Sequence, residues 1–215
     1  EEGGADSVIY WHGKNAESIF TDHSTHGENQ VERAQYFVDR YPELFRLFHL
    51  HETEQQFVPR RVRQIASDIY SVQLQQHLDG IPVRRSYINI LLQKGRVKYV
   101  SANYDIEIGR VQRQLDAIYQ LRERGEFGTT RAVEAAQSTL HNAYGVTESY
   151  EIGETRLLII SERLEPTVTF PDASVAWRIS IQGRGGESDS IRTWTVFVDA
   201  FSKDVLSIVS RQDAD

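Results

Sequence analysis

The run Tyr70-Ser-Val-Gln-Leu-Gln-Gln-His-Leu-Asp-Gly-Ile-Pro-Val-Arg-Arg-Ser-Tyr-Ile-Asn-Ile90 reads as two strands joined by a tight turn. Val72 and Leu74 alternate with Ser71, Gln73 and Gln75, the period of a half-buried strand. Asp79-Gly80 breaks that pattern, because Gly accepts the positive φ a tight turn demands. Pro82 has no amide proton for a ladder, so it belongs at a strand start or an edge. Ile88, Ile90 and Leu92 then resume the alternation.

Working outward, strand-like segments fall at about 60–68, 69–79, 83–93 and 96–108, with Lys94-Gly95 as the last turn. Together they predict an antiparallel meander that one helix can cover. That helix lies upstream. Asn29 is a helix cap, and Val31, Ala34, Val38, Tyr41, Phe45 and Phe48 recur at steps of three and four. The spacing predicts a helix running to about Phe48, kinked or split near Tyr41 by Pro42. Residues 1–28 are polar and interrupted by glycines; Val8-Ile-Tyr-Trp11 suggests a short strand, and the rest reads as a loose arm. His23 and His26 in this arm would share a face only if helical, and a surface pair in a polar loop is the simpler reading.

Downstream, Val111, Leu115, Ile118 and Arg122 space like a short helix, released by Gly125 and Gly128. The domain boundary is therefore placed here. Thr129 or Thr130 caps the next helix, Val133, Ala136, Leu140 and Ala143 form its apolar stripe, and Gly145 ends it. Strands follow at 157–160, 175–181, 193–198 and 205–209. The glycine-rich stretch from Gly183 to Asp189 joins two strands and lacks the strand-to-helix context of a phosphate loop. The expected organisation is an arm at 1–28, a first domain at 29–110, a linker at 111–128 and a second domain at 129–215. The fold class is α+β, with two tandem helix-on-antiparallel-sheet domains of cystatin-like plan.

The 215 residues are 40% hydrophobic, enough for a core. No apolar run reaches the roughly 18 residues of a membrane span. The net charge of −7 argues against nucleic acid, which needs clustered positive charge. That charge is uneven. Residues 1–30 carry a net −5, residues 31–110 a net +3 and residues 111–215 a net −5. The basic middle can face an acidic partner. Cys and Met are both absent, which excludes disulfides, thiolate metal sites and a Cys nucleophile. The chain reads as a mature form or a processed piece.

Two stretches resemble known families. Gln76, Gly80, Ile81, Pro82 and Val83, followed by an alternating strand, resemble the signature of the fungalysin/thermolysin propeptide domain. In the second half, Val175-Ala-Trp-Arg-Ile179 and the strand ending in Val198-Asp199-Ala200, with Val205 and Leu206 on the returning strand, resemble a PepSY domain. Ser202-Lys203 stands where that family usually has Thr-Gly, and Gly suits a positive-φ turn better than Lys. Asp199 is expected to hold turn amides rather than act as an acid. The two resemblances span about residues 29–210 in the order found ahead of secreted thermolysin-like zinc peptidases.

A reactive centre is not visible. Hydrolysis of a peptide needs an activated nucleophile or a metal-bound water. His51-Glu52-Thr-Glu-Gln55 falls one residue short of the zinc motif H-E-x-x-H, because Gln55 replaces the second His. Trp11, Trp177 and Trp194 suggest a sugar platform, but alternation places two of them in strands, which favours core packing. The chain is therefore expected to be no enzyme and to need no catalytic, cofactor or metal residue. The resemblance implies a prodomain that assists folding of a metallopeptidase catalytic domain and inhibits it, in cis or in trans. It also implies a secreted, periplasmic or extracellular location. The alternatives are a stand-alone two-module protein that inhibits a separate peptidase, and a module that binds a small ligand in its curved sheet.

Overall fold

The computed structural model describes residues 8–12, 15–45, 55–104, 111–146, 150–161, 173–184 and 191–212. The chain is α+β and falls into two compact units, Glu1–Gly109 and Arg110–Asp215.

The first unit runs β1 (Val8–His12), β2 (Asn15–Ser24), α1 (Gln30–Arg40), a 3-10 turn (Pro42–Phe45), β3 (Gln55–Ala66), β4 (Ile69–Leu78), β5 (Ile81–Gln93) and β6 (Arg96–Asn103). The strands are antiparallel in the order β1-β2-β6-β5-β4-β3. The quoted run forms β4 and the first part of β5, and the burial of β4 alternates strictly from Ser71 to Leu78. Asp79 and Gly80 both take positive φ, 47° and 74°, as a two-residue hairpin turn requires. The core lies between this sheet and α1, where Phe37, Leu74, Ile88 and Ile90 are wholly buried.

Asn29 starts α1 as expected. Its side-chain oxygen accepts the amides of Val31 and Glu32, each at 3.0 Å, while Glu32 accepts the amide of Glu28 at 2.7 Å. The helix stops at Arg40, well short of Phe48. Pro42 disfavours helical geometry at Tyr41, whose φ of −126° and ψ of 56° break the spiral. The chain continues as the 3-10 turn. Tyr104 pins that turn to the sheet, donating its hydroxyl to the Phe45 carbonyl at 2.7 Å. Phe48 lies outside the described residues.

The strand suggested at Val8–Trp11 is β1, and much of what was read as a loose arm is β2, so the 1–28 boundary is corrected. β2 pairs with β6, from Ser18 opposite Ser101 to Ser24 opposite Arg96. The pattern was weak because the inward positions are Ile19, Thr21 and His23, only one of them strongly apolar. Arg96 and Lys98 on β6 both reach Asp22, each at 2.6 Å. The short helix expected from Val111, Leu115 and Ile118 is α2, with all three buried; it belongs to the second unit, so the linker boundary at 111–128 is corrected.

The second unit runs α2 (Gln112–Glu123), α3 (Thr130–Tyr144), β7 (Glu151–Ile160), β8 (Ser174–Arg184), β9 (Ile191–Asp199) and β10 (Val205–Gln212). Its four strands form an antiparallel meander in chain order. Ala132, Ala136 and Leu140 are the buried face of α3; Val133 is half-buried and Ala143 exposed, one step off the expected stripe. Gly145 ends α3 at φ 61°, donating to the His141 carbonyl. Thr129 precedes α3, but its hydroxyl makes no capping bond. Trp177 and Trp194 are buried, as core packing requires; the side chain of Trp11 is outside the described residues.

Candidate functional site

Two motif residues of the first unit, Gln76 and Val83, meet at one irregularity. Gln75 pairs with Tyr87 and His77 with Pro82, so four residues of β5, Val83 to Ser86, face the single residue Gln76. Arg85 turns the bulge at φ 56°. Gln76 and Ser86 are both buried, and the Ser86 hydroxyl donates to the Gln76 side-chain oxygen. Gln75 closes the outside by donating to the Val83 carbonyl at 3.0 Å, and Asn103 donates to the Arg85 carbonyl at 3.1 Å. Ile81 and Val83 are buried on either side of Pro82, near the strand start. Gln76 and Val83 thus belong to a bend in β5, while Gly80 makes the turn and Ile81 and Pro82 the first regular pairs after it.

Beside this bend, α1 and β3 enclose a groove of about 310 Å³. Val38, Phe57, Pro59 and Leu74 supply its apolar wall, and Gln35, Asp39 and Gln56 its polar rim. Register explains the wall. Phe57, Pro59 and Val62 stand opposite Gln76, Leu74 and Val72, all three buried on the core face. The helix does not reach the end of β3. Val62 stays 45% exposed on that face, and Ile65, skipped at the second irregularity, is 57% exposed. Arg60, Arg61 and Arg63 flank Val62. Among the described residues of the first unit β3 pairs only with β4, and its other edge is broken by Pro59 and by shifts of register at Pro59/Arg61 and Gln64/Ala66. A proline, two bulges and three arginines guard such an edge against pairing with another strand.

The second motif sits in the turn between β9 and β10. Asp199 accepts the amides of Phe201 and Ser202 at 2.8 and 2.9 Å through one oxygen. Its other oxygen accepts from the Ser174 hydroxyl at 2.7 Å. Val198 and Ala200 are buried on either side. All three residues hold the turn. Lys203 occupies it at φ 67°, the position where Gly is usual.

The histidine pair does not form a metal site. His23 lies on a strand, its ring 4.8 Å from Tyr41 and 5.8 Å from Phe37, and His26 packs edge-on against Tyr36 at 5.0 Å. Both rings are spent on α1. Among the described residues no group of three or more His, Asp or Glu side chains could hold a metal ion. His51 to Glu54 fall outside the described residues, as does most of the glycine-rich stretch after Arg184. Among the described residues no helix is long and apolar enough to cross a membrane.

No family model matches the chain, and no curated protein matches it. Among solved structures it is similar to the Bacillus megaterium YpeB C-terminal domain. The TM-score is 0.36 and the identity 11%, over 99% of this chain and 92% of that one. A likeness at that level assigns neither a family nor an activity.

The groove and the exposed end of β3 had no signal in the residues taken alone. The sequence reads as a strand only from about residue 60, whereas β3 begins at Gln55, so Phe57 and Pro59 of the groove wall fall before the expected strand. Lys203 did carry a signal, as the departure from Thr-Gly in the turn.

Proposed function

We propose that the chain acts by binding another protein: a non-catalytic prodomain of a secreted zinc metallopeptidase that assists its folding and blocks its cleft. On this reading the two units are tandem cystatin-like modules. The chain then belongs outside the cytoplasm, with the catalytic domain as its partner in cis or in trans. The observation that carries the reading is the groove between α1 and β3, with Val62 further along the same strand face left half exposed. Exposed apolar surface next to a preformed groove favours a protein partner. Arg60, Arg61 and Arg63 suit an acidic one. The motif bend supports the same reading, because it fixes β5 and β4 and so sets the curvature of the sheet behind the groove. A standard interface of this kind supplies nanomolar affinity, on the order of −12 kcal/mol.

The test is inhibition in trans. The purified chain is titrated into the thermolysin-like peptidase encoded with it, beside the variant Val62→Glu. Val62 is half in solvent, so the variant folds. Tight inhibition by the parent chain, weakened at least about tenfold by Val62→Glu, supports the groove as the contact. A peptidase rate untouched past micromolar chain sinks the prodomain reading.

A further inference from the structure

The second unit holds a cavity of about 580 Å³ where three segments meet. The loop between α2 and α3 supplies Phe127, the first turn of α3 supplies Thr130 and Arg131, and the β9–β10 turn supplies Phe201 and Lys203. Its floor is aromatic. Phe127 stacks on the buried Trp177, with ring centres 5.2 Å apart. Cations gather on that ring: the Arg122 guanidinium lies 5.5 Å and the Lys203 ammonium 6.0 Å from its centre. Arg131 adds a third positive charge at the wall. On the lining itself Arg131 and Lys203 stand against Glu126, a net of one positive charge. Asp199 lies behind the turn, its oxygens taken by Phe201, Ser202 and Ser174.

Lys203 is out of place in two respects. Its backbone holds a left-handed conformation, φ 67°, that disfavours any residue with a side chain. Its ammonium is held below the usual lysine range, first by burial and also by the Arg131 charge, with Asp199 opposing. Among the described residues that ammonium donates to the Ala200 carbonyl. A like-charged pair crowded at a cavity wall is relieved by an anion between them.

We propose that this cavity binds a monocarboxylate with an apolar or aromatic body, its carboxylate held by Arg131 and Lys203 and its body against Phe127. A single net positive charge matches a monoanion and disfavours a dianionic phosphate. The planar guanidinium of Arg131 suits a planar carboxylate. Leu121, Ala200 and Phe201 complete the apolar part of the lining. The site is separate from the α1–β3 groove and does not depend on the prodomain reading.

The experiment is an amide-detected NMR titration of the whole chain with benzoate, benzamide and inorganic phosphate, each on the order of 10 mM. Benzoate is expected to shift the amides of residues 127–131 and 200–203, with benzamide and phosphate at least about tenfold weaker. Arg131→Gln and Lys203→Gly should each weaken benzoate about tenfold while the rest of the spectrum stays unchanged. Acetyl-phenylalanine against its amide then separates a peptide C-terminus from a free acid as the source of the carboxylate. The proposal is overturned if benzamide or phosphate binds as well as benzoate. It is equally overturned if the two variants leave benzoate binding intact, or if these amides do not respond at all.

Discussion

The hydroxyl of Ser86 donates to the side-chain oxygen of Gln76, and neither residue is reached by solvent. One residue of β4 thereby holds four of β5. Removing the donor alone takes one hydrogen bond from a buried side chain with no water to replace it. Ser86→Ala is expected to lower unfolding free energy by about 1–3 kcal/mol, read by urea denaturation. Replacing both partners, with Gln76→Leu added, should recover part of that loss. A double variant that is worse than the single one by the full cost of Gln76→Leu would show that the two residues are not coupled.

Gly80 stands at φ 74° with open space around the position a Cβ would take. Any cost of a side chain there is therefore backbone strain. Gly80→Val should cost about 1–2 kcal/mol, since a β-branched residue resists left-handed geometry. Unchanged thermal stability would mean that the hairpin re-forms with another turn.

Asp22 sits between Lys98 and Arg96, which hold its carboxyl below the ordinary value of 3.8, the Lys98 hydrogen bond foremost. A carboxylate depressed in the folded state stabilises the fold above its unfolded pKa, and that contribution disappears as pH falls through the folded value. The difference in melting temperature between the parent chain and Asp22→Asn should be constant near neutrality and shrink below about pH 3.8. A difference that persists at the lowest pH would assign it to something other than charge.

Lys203→Gly and Lys203→Ala both lose the contact with the Ala200 carbonyl, but only Gly releases the left-handed strain. The Gly variant should be about 1 kcal/mol more stable than the Ala variant by chemical denaturation. Equal stabilities would show that the turn relaxes around alanine.

What the sequence discloses depends on how local the cause is. The hairpin at Asp79-Gly80, the cap at Asn29 and the stop at Gly145 are settled within a few residues, and each stands where the pattern puts it. The end of α1 was misplaced because periodicity continues through Tyr41 and Phe45, whereas Pro42 and the preceding residue cannot keep helical geometry. β2 went unseen because its inward positions are Ile19, Thr21 and His23, and the last earns its place by packing on Tyr41 and Phe37. The bulge from Val83 to Ser86 interrupts the two-residue period, so Ser86 gave no hint that it meets Gln76. The cavity at Lys203 needs segments some eighty residues apart, from Leu121 to Lys203, and no local pattern encodes that meeting.

The bulged edge of β3 has a consequence in solution. Arginine keeps its proton at every pH a protein survives. Pro59 and the two irregularities beside it are matters of shape and do not titrate at all. Fibril growth from this strand is therefore opposed in acid and alkali alike, whereas an edge guarded by Glu or Lys loses its protection once those groups are neutralised.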